Sequence, residues 1–393
     1  MADPHLKEMN DFLYIENDLK DLESQAMLRV LRPMQSAQSR EIVIDGKKVL
    51  NFCSNNYLGL ADDHRIIAAA KEAMDQRGFG SGASRLVCGS MDEHHQLEEK
   101  IARMKNTQAA LLFSSGYMAN TGIIPALFDR QDIIFSDRLN HASIIDGIIL
   151  SRAEFKRYAH NDMQSLEELL KGSGGFKKRL IVTDTVFSMD GDTARLKDIV
   201  ALARRYEAYV MVDEAHAFGV FGKTGAGLVE QEGLSGQIDI QMGTLSKAAG
   251  CFGAYVAGSK LLCDYLINHA RSFIYTTSLP PALAAAASRA IDIIQEEGKL
   301  RQQVIENANY LRRGLKDQGF DTLNSSTPII PVVLKEAAQA LAVSKQLLAQ
   351  GIFVQAIRPP TVPENTARLR VTVMATHTRE DLDKLVTGTS ACH

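Results

Sequence analysis

Several things are missing from this 393-residue chain, and each absence removes a class of function. No apolar run approaches the roughly 18–20 residues that a membrane-spanning helix needs, so no membrane role is expected. The start, Met1-Ala2-Asp3-Pro4-His5, has no basic region leading into an apolar block and does not resemble a secretion signal, so the expected compartment is the cytoplasm. The five cysteines, Cys53, Cys88, Cys251, Cys263 and Cys392, are odd in number and form no CxxC pair, which argues against a disulfide framework and against a thiolate zinc site. Formal net charge is -3 and there is no long basic block, so nucleic acid is not an expected partner. Asp190-Gly191-Asp192 lacks the regular oxygen ligands and terminal glutamate of a calcium loop, and no metal is expected. There is no internal repeat and no long apolar stripe of the kind a protein-binding scaffold would show.

What is present is an ordinary globular composition, 45% hydrophobic and 23% charged, at a length that suits one large domain with smaller attachments. Residues 1–60 read as an N-terminal helix and a small β appendage. Leu6, Met9, Leu13, Leu19, Leu22 and Met27 give the helix a broken apolar face whose far end Pro33 limits. Strands at 41–44 and 48–52 then flank Asp45-Gly46, a pair suited to a tight hairpin turn. Residues 61–290 alternate helical segments with short apolar strands at 109–113, 132–136, 154–158, 179–183, 208–212, 238–242 and 254–257. With helices such as 196–206 between them, these strands predict an α/β domain: a mainly parallel central sheet with helices on both faces. Ligands of such sheets gather beyond the carboxyl ends of the strands. Residues 291–393 follow the order αβαββα, with helices at 300–318, 336–350 and 379–386 and strands at 329–334, 352–356 and 367–372, which predicts a smaller C-terminal α+β domain.

Polar residues cluster where the central strands end. Lys247, in Gly243-Thr244-Leu245-Ser246-Lys247-Ala248-Ala249-Gly250, is a single amine between hydroxyl side chains, placed as a lysine that forms a Schiff base with pyridoxal phosphate would be; a solvated loop lysine has the same local sequence. Asp213 ends an apolar run and His216 lies three residues further on. A carboxylate at a buried strand end needs a partner, and a protonated pyridine nitrogen is one; a helix cap is the plainer explanation. In Phe113-Ser114-Ser115-Gly116-Tyr117, strand, polar turn and helix present free N–H groups to a phosphate, or Ser115 merely caps the helix. His141 is either a ring lying flat over a pyridine or a surface histidine at a helix start, and Ser188 is a donor for the cofactor's phenolic oxygen.

Read together, Asn51-Phe52, Asn55-Asn56-Tyr57-Leu58-Gly59-Leu60, Gly80-Ser81-Gly82-Ala83-Ser84-Arg85, His141-Ala142-Ser143 and the segments 113–120, 186–190, 213–219 and 244–247 resemble the α-oxoamine synthases. That family has the aspartate-aminotransferase-like architecture, fold type I of the PLP-dependent transferases, and the resemblance covers nearly the whole chain. It implies pyridoxal 5'-phosphate as cofactor, with Lys247 attached to it and, once displaced, moving the substrate Cα proton. It further implies that Asp213 pairs with the ring nitrogen, that His141 stacks on the ring, and that Ser188 and His216 contact the phenolic oxygen. Ser115, Gly116, Tyr117, Asp184, Thr244 and Ser246 fall to the cofactor pocket, with Asp184 where many relatives carry glutamate. Thr276 and Thr277 resemble residues that reach the phosphate of a neighbouring subunit, which implies a homodimer with shared active sites.

For the substrates the resemblance implies a small amino acid and an acyl thioester, carried by CoA or an acyl-carrier protein, joined with loss of carbon dioxide. Arg370 is similar to the residue that clamps the amino-acid carboxylate, a task that suits a guanidinium fork; a surface charge is the rival reading. The segments 273–281, 356–363 and 366–370 resemble the branch that joins L-alanine to a pimeloyl thioester. Asn55 and Thr361 belong to the implied substrate contacts. Arg29, near the end of the N-terminal helix, corresponds to a residue for the far carboxylate of the pimeloyl chain, with Arg32 as a nearby rival and an exposed helix charge as the alternative. Pro33-Met34-Gln35-Ser36-Ala37-Gln38 resembles the glycine-using branch instead, and a serine palmitoyltransferase-like activity is a further alternative.

Overall fold

The computed structural model describes residues 13–25 and 27–392, so Leu6, Met9 and the Leu13 side chain of the expected N-terminal face lie outside the described residues. Among the described residues the N-terminal helix ends earlier than its pattern suggested. It spans Leu13–Ser24 and stops where the N–H groups of Met27 and Leu28 fold back onto the Leu22 carbonyl. Tyr14, Leu19 and Leu22 remain exposed, so no core holds the helix further along. Arg29 therefore lies in irregular chain five residues beyond the helix end. β1 (Glu41–Ile44) and β2 (Lys47–Asn51) form the expected hairpin, with Asp45 and Gly46 both at positive φ, +50° and +73°, as a type I′ turn requires.

Seven strands build the central sheet: β3 (Ala109–Phe113), β4 (Ile133–Asp137), β5 (Glu154–Tyr158), β6 (Arg179–Asp184), β7 (Tyr209–Asp213), β8 (Ile240–Thr244) and β9 (Ala254–Gly258). Their spatial order is β3-β9-β8-β7-β6-β4-β5, and β9 alone runs antiparallel to its neighbours. β8 starts two residues later than its apolar run. Asp239 takes the Val210 N–H with its carboxylate, 2.8 Å, before regular pairing begins. Helices Asp92–Lys105, Leu196–Arg205 and Pro281–Glu296 pack one face around Leu97, Ile101, Ile199, Ile291 and Tyr255. Gly116–Leu127, Ala142–Ser151 and Lys260–His269 pack the other around Ile123, Ile144, Met242 and Leu266. With both faces covered, all five residues of β8 and of β9 are buried, as the uniform apolarity of such strands demands.

The C-terminal part adds helices Gly298–Asp317, Ala337–Ala349 and Arg379–Ala391 and the strands β10 (Ile329–Lys335), β11 (Ile352–Phe353), β12 (Gln355–Ile357) and β13 (Ala367–Thr372). The single strand expected at 352–356 is divided. β11 pairs in parallel with β2, while β12 joins the antiparallel sheet β10-β13-β12. Leu50 and Phe52 consequently share a core with Leu311, Val332, Leu369 and Leu382. The last helix carries a capping box in which Thr378 and Asp381 bond reciprocally.

His160 ties the end of β4 to the 190–192 turn. Its Nδ1 lies 3.0 Å from Asp137 Oδ1 and its Nε2 2.8 Å from Asp192 Oδ2. Arg368 pairs with Asp190 at 2.7 Å, so the acidic turn is met by protein cations; among the described residues no cluster of metal-ligating side chains occurs. Burial favours the neutral imidazole, but the two carboxylates outweigh it and hold His160 up at about 10. A raised folded-state pKa contributes stability that is full below the unfolded histidine value and fades as pH rises through about 10. His160→Gln is expected to lower the thermal midpoint at pH 6 by several degrees and to cost progressively less toward pH 10. Thermal melts at both pH values check this; an equal deficit at both would contradict it.

Candidate functional site

The parallel strands deliver their last residues to one edge of the sheet. Asp213 ends β7, Asp184 ends β6 directly beside it in register, and Lys247 follows the end of β8 by three residues. The turn carrying Lys247 is pinned from below. Thr244 Oγ1 lies 2.9 Å from the Gly253 carbonyl and 2.7 Å from Ser246 Oγ, and Gly250 N–H donates to the Lys247 carbonyl at 2.9 Å. Gly250 has φ +65° and lies so close to the 60–61 backbone that an added Cβ would sit 2.5 Å from Ala61 N, so no other residue fits.

Asp213 is 4% exposed, and both its oxygens are engaged: Oδ1 accepts from Ala215 N–H and Oδ2 from Asn120 Nδ2, each at 2.9 Å. Asn120 is held in turn by Ser143 Oγ at 2.9 Å, and its own Oδ1 is buried without a partner. Behind Asp213, Glu214 forms a fully buried ion pair with Lys105, which also donates to the Ala226 carbonyl. Asp184 Oδ2 accepts the His141 backbone N–H at 2.7 Å. Burial and the neighbouring Asp213 push the Asp184 carboxyl well above the usual range.

Lys247 Nζ lies 2.8 Å from His216 Nε2. Burial pulls the amine down to about 8 against the opposing pull of Asp213 and Asp184, and Arg370 adds to the lowering. His216 itself is held well below its ordinary value by burial and by the cations Lys247 and Arg370, so its ring is neutral. It neither orients Asp213 nor stands alone: its Nδ1 lies 2.7 Å from the Tyr57 hydroxyl. Tyr57 also reaches Asn55 Oδ1 at 3.2 Å, and Arg370 Nη2 donates to the same oxygen at 3.1 Å while its Nε donates to the Ser188 carbonyl at 2.6 Å. One polar chain thus runs from Lys247 through His216, Tyr57 and Asn55 to Arg370, residues that lie far apart in sequence.

The remaining residues surround this chain. His141 caps helix Ala142–Ser151, with its Nδ1 2.8 Å from Ser143 Oγ, and burial with the Lys247 charge lowers its proton affinity while Asp213 opposes them. Ser115 caps helix Gly116–Leu127 by accepting the Met118 N–H at 3.2 Å. Gly116 faces Met242 and Thr244, which a Cβ would meet at 3.6 and 3.9 Å. A helix N-terminus, the Ser115 cap and the exposed Ser246 therefore converge on one spot, as a phosphate needs. Tyr117 donates its hydroxyl proton to Asp146. Thr276 lines a small cavity with Ser114, while Thr277 is exposed. Arg29 reaches Thr361 Oγ1 at 3.4 Å, so two residues separated by 332 positions are brought together; Arg32 instead lies over the Phe353 ring. Tyr57, Asn120, Ser143 and Lys105 were not assigned roles from sequence. Tyr57 and Asn120 sit inside motifs that were quoted, but no periodicity says that a side chain there turns inward.

These residues fit pyridoxal phosphate: a desolvated amine, a buried carboxylate for a ring nitrogen, a histidine that senses the charge of both and a helix N-terminus for an anion. Comparison with known proteins agrees. Residues 47–388 match the family model described as aminotransferase class I and II. The 8-amino-7-oxononanoate synthase of Geobacter sulfurreducens is 54% identical over 95% of this chain and 96% of its own length, and that of Thermosipho melanesiensis is 47% identical over 95% and 96%. Among solved structures, serine palmitoyltransferase from S. paucimobilis with bound PLP superimposes with TM-score 0.92 at 34% identity, covering 98% of both chains. The 8-amino-7-oxononanoate synthase of Francisella tularensis does so with TM-score 0.77 at 31% identity, over 87% of this chain and 97% of that one.

Because the unprotonated amine is the form that captures an aldehyde, the rate of cofactor uptake by the cofactor-free chain is expected to rise about tenfold per pH unit below pH 8 and to level off above it. Stopped-flow absorbance across pH 6 to 10.5 reads this; a rate still climbing beyond pH 10 would show an ordinary lysine.

Proposed function

The chain belongs to the aminotransferase class I and II family, and from that premise we propose that it acts as an 8-amino-7-oxononanoate synthase, joining L-alanine to a pimeloyl thioester with release of the thiol and carbon dioxide. It is a PLP-dependent acyltransferase of the α-oxoamine synthase group, in the biotin-forming branch. The observation that carries the reading is the convergence of Lys247, Asp213 and Arg370 in one buried site within a chain 54% identical to such a synthase. The higher TM-score with serine palmitoyltransferase speaks for a common fold, whereas identity near 50% over almost the full length speaks for common substrates.

The cofactor, when bound, supplies an electron sink for charge developing at the substrate Cα. In the proposed scheme Arg370 receives the amino-acid carboxylate on its fork, helped by Asn55. Asp213, fixed by Asn120 and the Ala215 N–H, would be the partner of the cofactor's ring nitrogen. His141, electrostatically close to both Lys247 and Asp213, would pack against the cofactor ring. The lowered proton affinity of Lys247 lets it take the Cα proton near neutral pH and return it later. Arg29 and Thr361 receive the distal carboxylate of the acyl chain. Asp184, beside Asp213, supports His141 through its backbone N–H.

We also propose a homodimer, in which Thr276 and Thr277 serve the neighbouring subunit's phosphate. Phe79, Val87 and Tyr275 are each more than 70% exposed in the single chain, and Thr277 lies two residues beyond Tyr275. Sedimentation is expected to give a particle of twice the 43.2 kDa chain mass; a 43.2 kDa particle at micromolar concentration would remove this part.

The substrate assignment is tested by thiol release for alanine, glycine and serine against pimeloyl-, acetyl- and palmitoyl-CoA. Alanine with pimeloyl-CoA is expected to turn over fastest, and faster turnover of glycine with acetyl-CoA would overturn the assignment. Arg29→Ala is expected to lower kcat/KM for pimeloyl-CoA roughly tenfold or more, as the loss of a charged hydrogen bond implies, and to leave acetyl-CoA within about twofold. Equal losses for both thioesters would remove Arg29 from the acyl site.

A further inference from the structure

Tyr57 is 1% exposed and occupies the middle of the polar chain, between the amine and the arginine. The directions of its hydrogen bonds follow from what its neighbours are able to give. A guanidinium only donates, so the Arg370 contact at 3.1 Å identifies Asn55 Oδ1 as the acceptor and fixes how that amide faces. The same oxygen lies 3.2 Å from the Tyr57 hydroxyl, which therefore has an acceptor for its one proton. The phenolic oxygen then offers a lone pair to His216 Nδ1 at 2.7 Å, and His216 Nε2 offers its own to the Lys247 amine at 2.8 Å. This single direction satisfies every group. The reverse arrangement would leave Asn55 with Arg370 alone and set an Nε2–H against the lysine. Burial pushes the Tyr57 hydroxyl up to about 12, so it stays a neutral donor throughout the working range.

We propose that Tyr57 is a positioning residue that fixes His216 in the Nδ1–H tautomer, with the Nε2 lone pair on Lys247, and that links this contact through Asn55 to the carboxylate-binding Arg370. A carboxylate arriving at Arg370 competes for the Nη2 donor now held by Asn55, so its arrival is felt at the lysine through three intervening side chains, Asn55, Tyr57 and His216. The proposal rests on the roles given above to Lys247 and Arg370. It concerns hydrogen-bond direction, which nothing in the family assignment supplies.

The test uses the full chain carrying ring-¹⁵N histidine, with and without pyridoxal phosphate, and identifies the His216 signals by their loss in His216→Asn. The cofactor-free wild type is expected to show a protonated Nδ1 and an unprotonated Nε2. Tyr57→Phe keeps the ring and removes only the hydroxyl, and should give a mixture of tautomers. Asn55→Ala removes the acceptor for the tyrosine proton and should transfer the proton to Nε2. A wild-type Nε2–H, or His216 signals unchanged in both variants, would overturn the proposal. Kinetics supply a readout that a merely structural tyrosine would not give. Tyr57→Phe should lower kcat about tenfold with the alanine KM within about twofold, and should add nothing in the His216→Asn background. Full additivity would count against it. Loss of cofactor absorbance in Lys247→Ala tests the underlying site separately, so the two failures are distinguishable.

Discussion

A primary amine removed from water beside two carboxylates is the arrangement on which this molecule depends. Burial works against the charge on Lys247, while Asp213 and Asp184 favour it. The balance leaves it near neutrality's edge, at about 8, where it holds a proton for part of a cycle and gives it up for the rest. Such a balance needs groups that cannot move. The parallel sheet provides this, because β6, β7 and β8 end side by side and both faces are packed.

The supporting groups carry their own electrostatic cost. Glu214 follows Asp213 directly, faces away from it and is met by Lys105 with almost no exposure of either side chain. Removing one partner of such a pair strands a charge and typically costs about 3–5 kcal/mol, more than a well-made pair adds over an apolar substitute. The gain here is positional: the pair anchors the residue after the essential carboxylate to helix Asp92–Lys105 and to the Ala226 carbonyl. On the other side Arg370 comes from β13 of the C-terminal sheet and reaches the Ser188 carbonyl, Asn55 and, through it, Tyr57. Arg370 and Lys247 thus come from different sheets and are joined by one polar chain.

The architecture was legible because the central strands are buried on both faces and write a short apolar run for each. All seven occur, displaced by at most two residues where a side chain such as Asp239 substitutes for the ladder. The roles of Lys247, Asp213 and His141 came from the resemblance rather than from local pattern, because a loop lysine, a helix cap and a surface histidine write the same letters. The far end of the N-terminal helix was misplaced because apolar spacing alone does not say whether a face is packed, and Leu19 and Leu22 stay exposed. The 352–356 segment was read as one strand, because sequence periodicity cannot say that its two halves serve different sheets. Tyr57, Asn120 and Lys105 were missed for the same physical cause. Their roles come from contacts over roughly 90 to 160 positions, as between Tyr57 and His216, and leave no local pattern.

The most direct measurement is to reduce the cofactor-loaded chain with borohydride, digest it, and locate the pyridoxyl mass by peptide sequencing. The account predicts one modified residue, Lys247, with no label in Lys247→Ala. A label on any other lysine, or none on the wild-type chain, would contradict it.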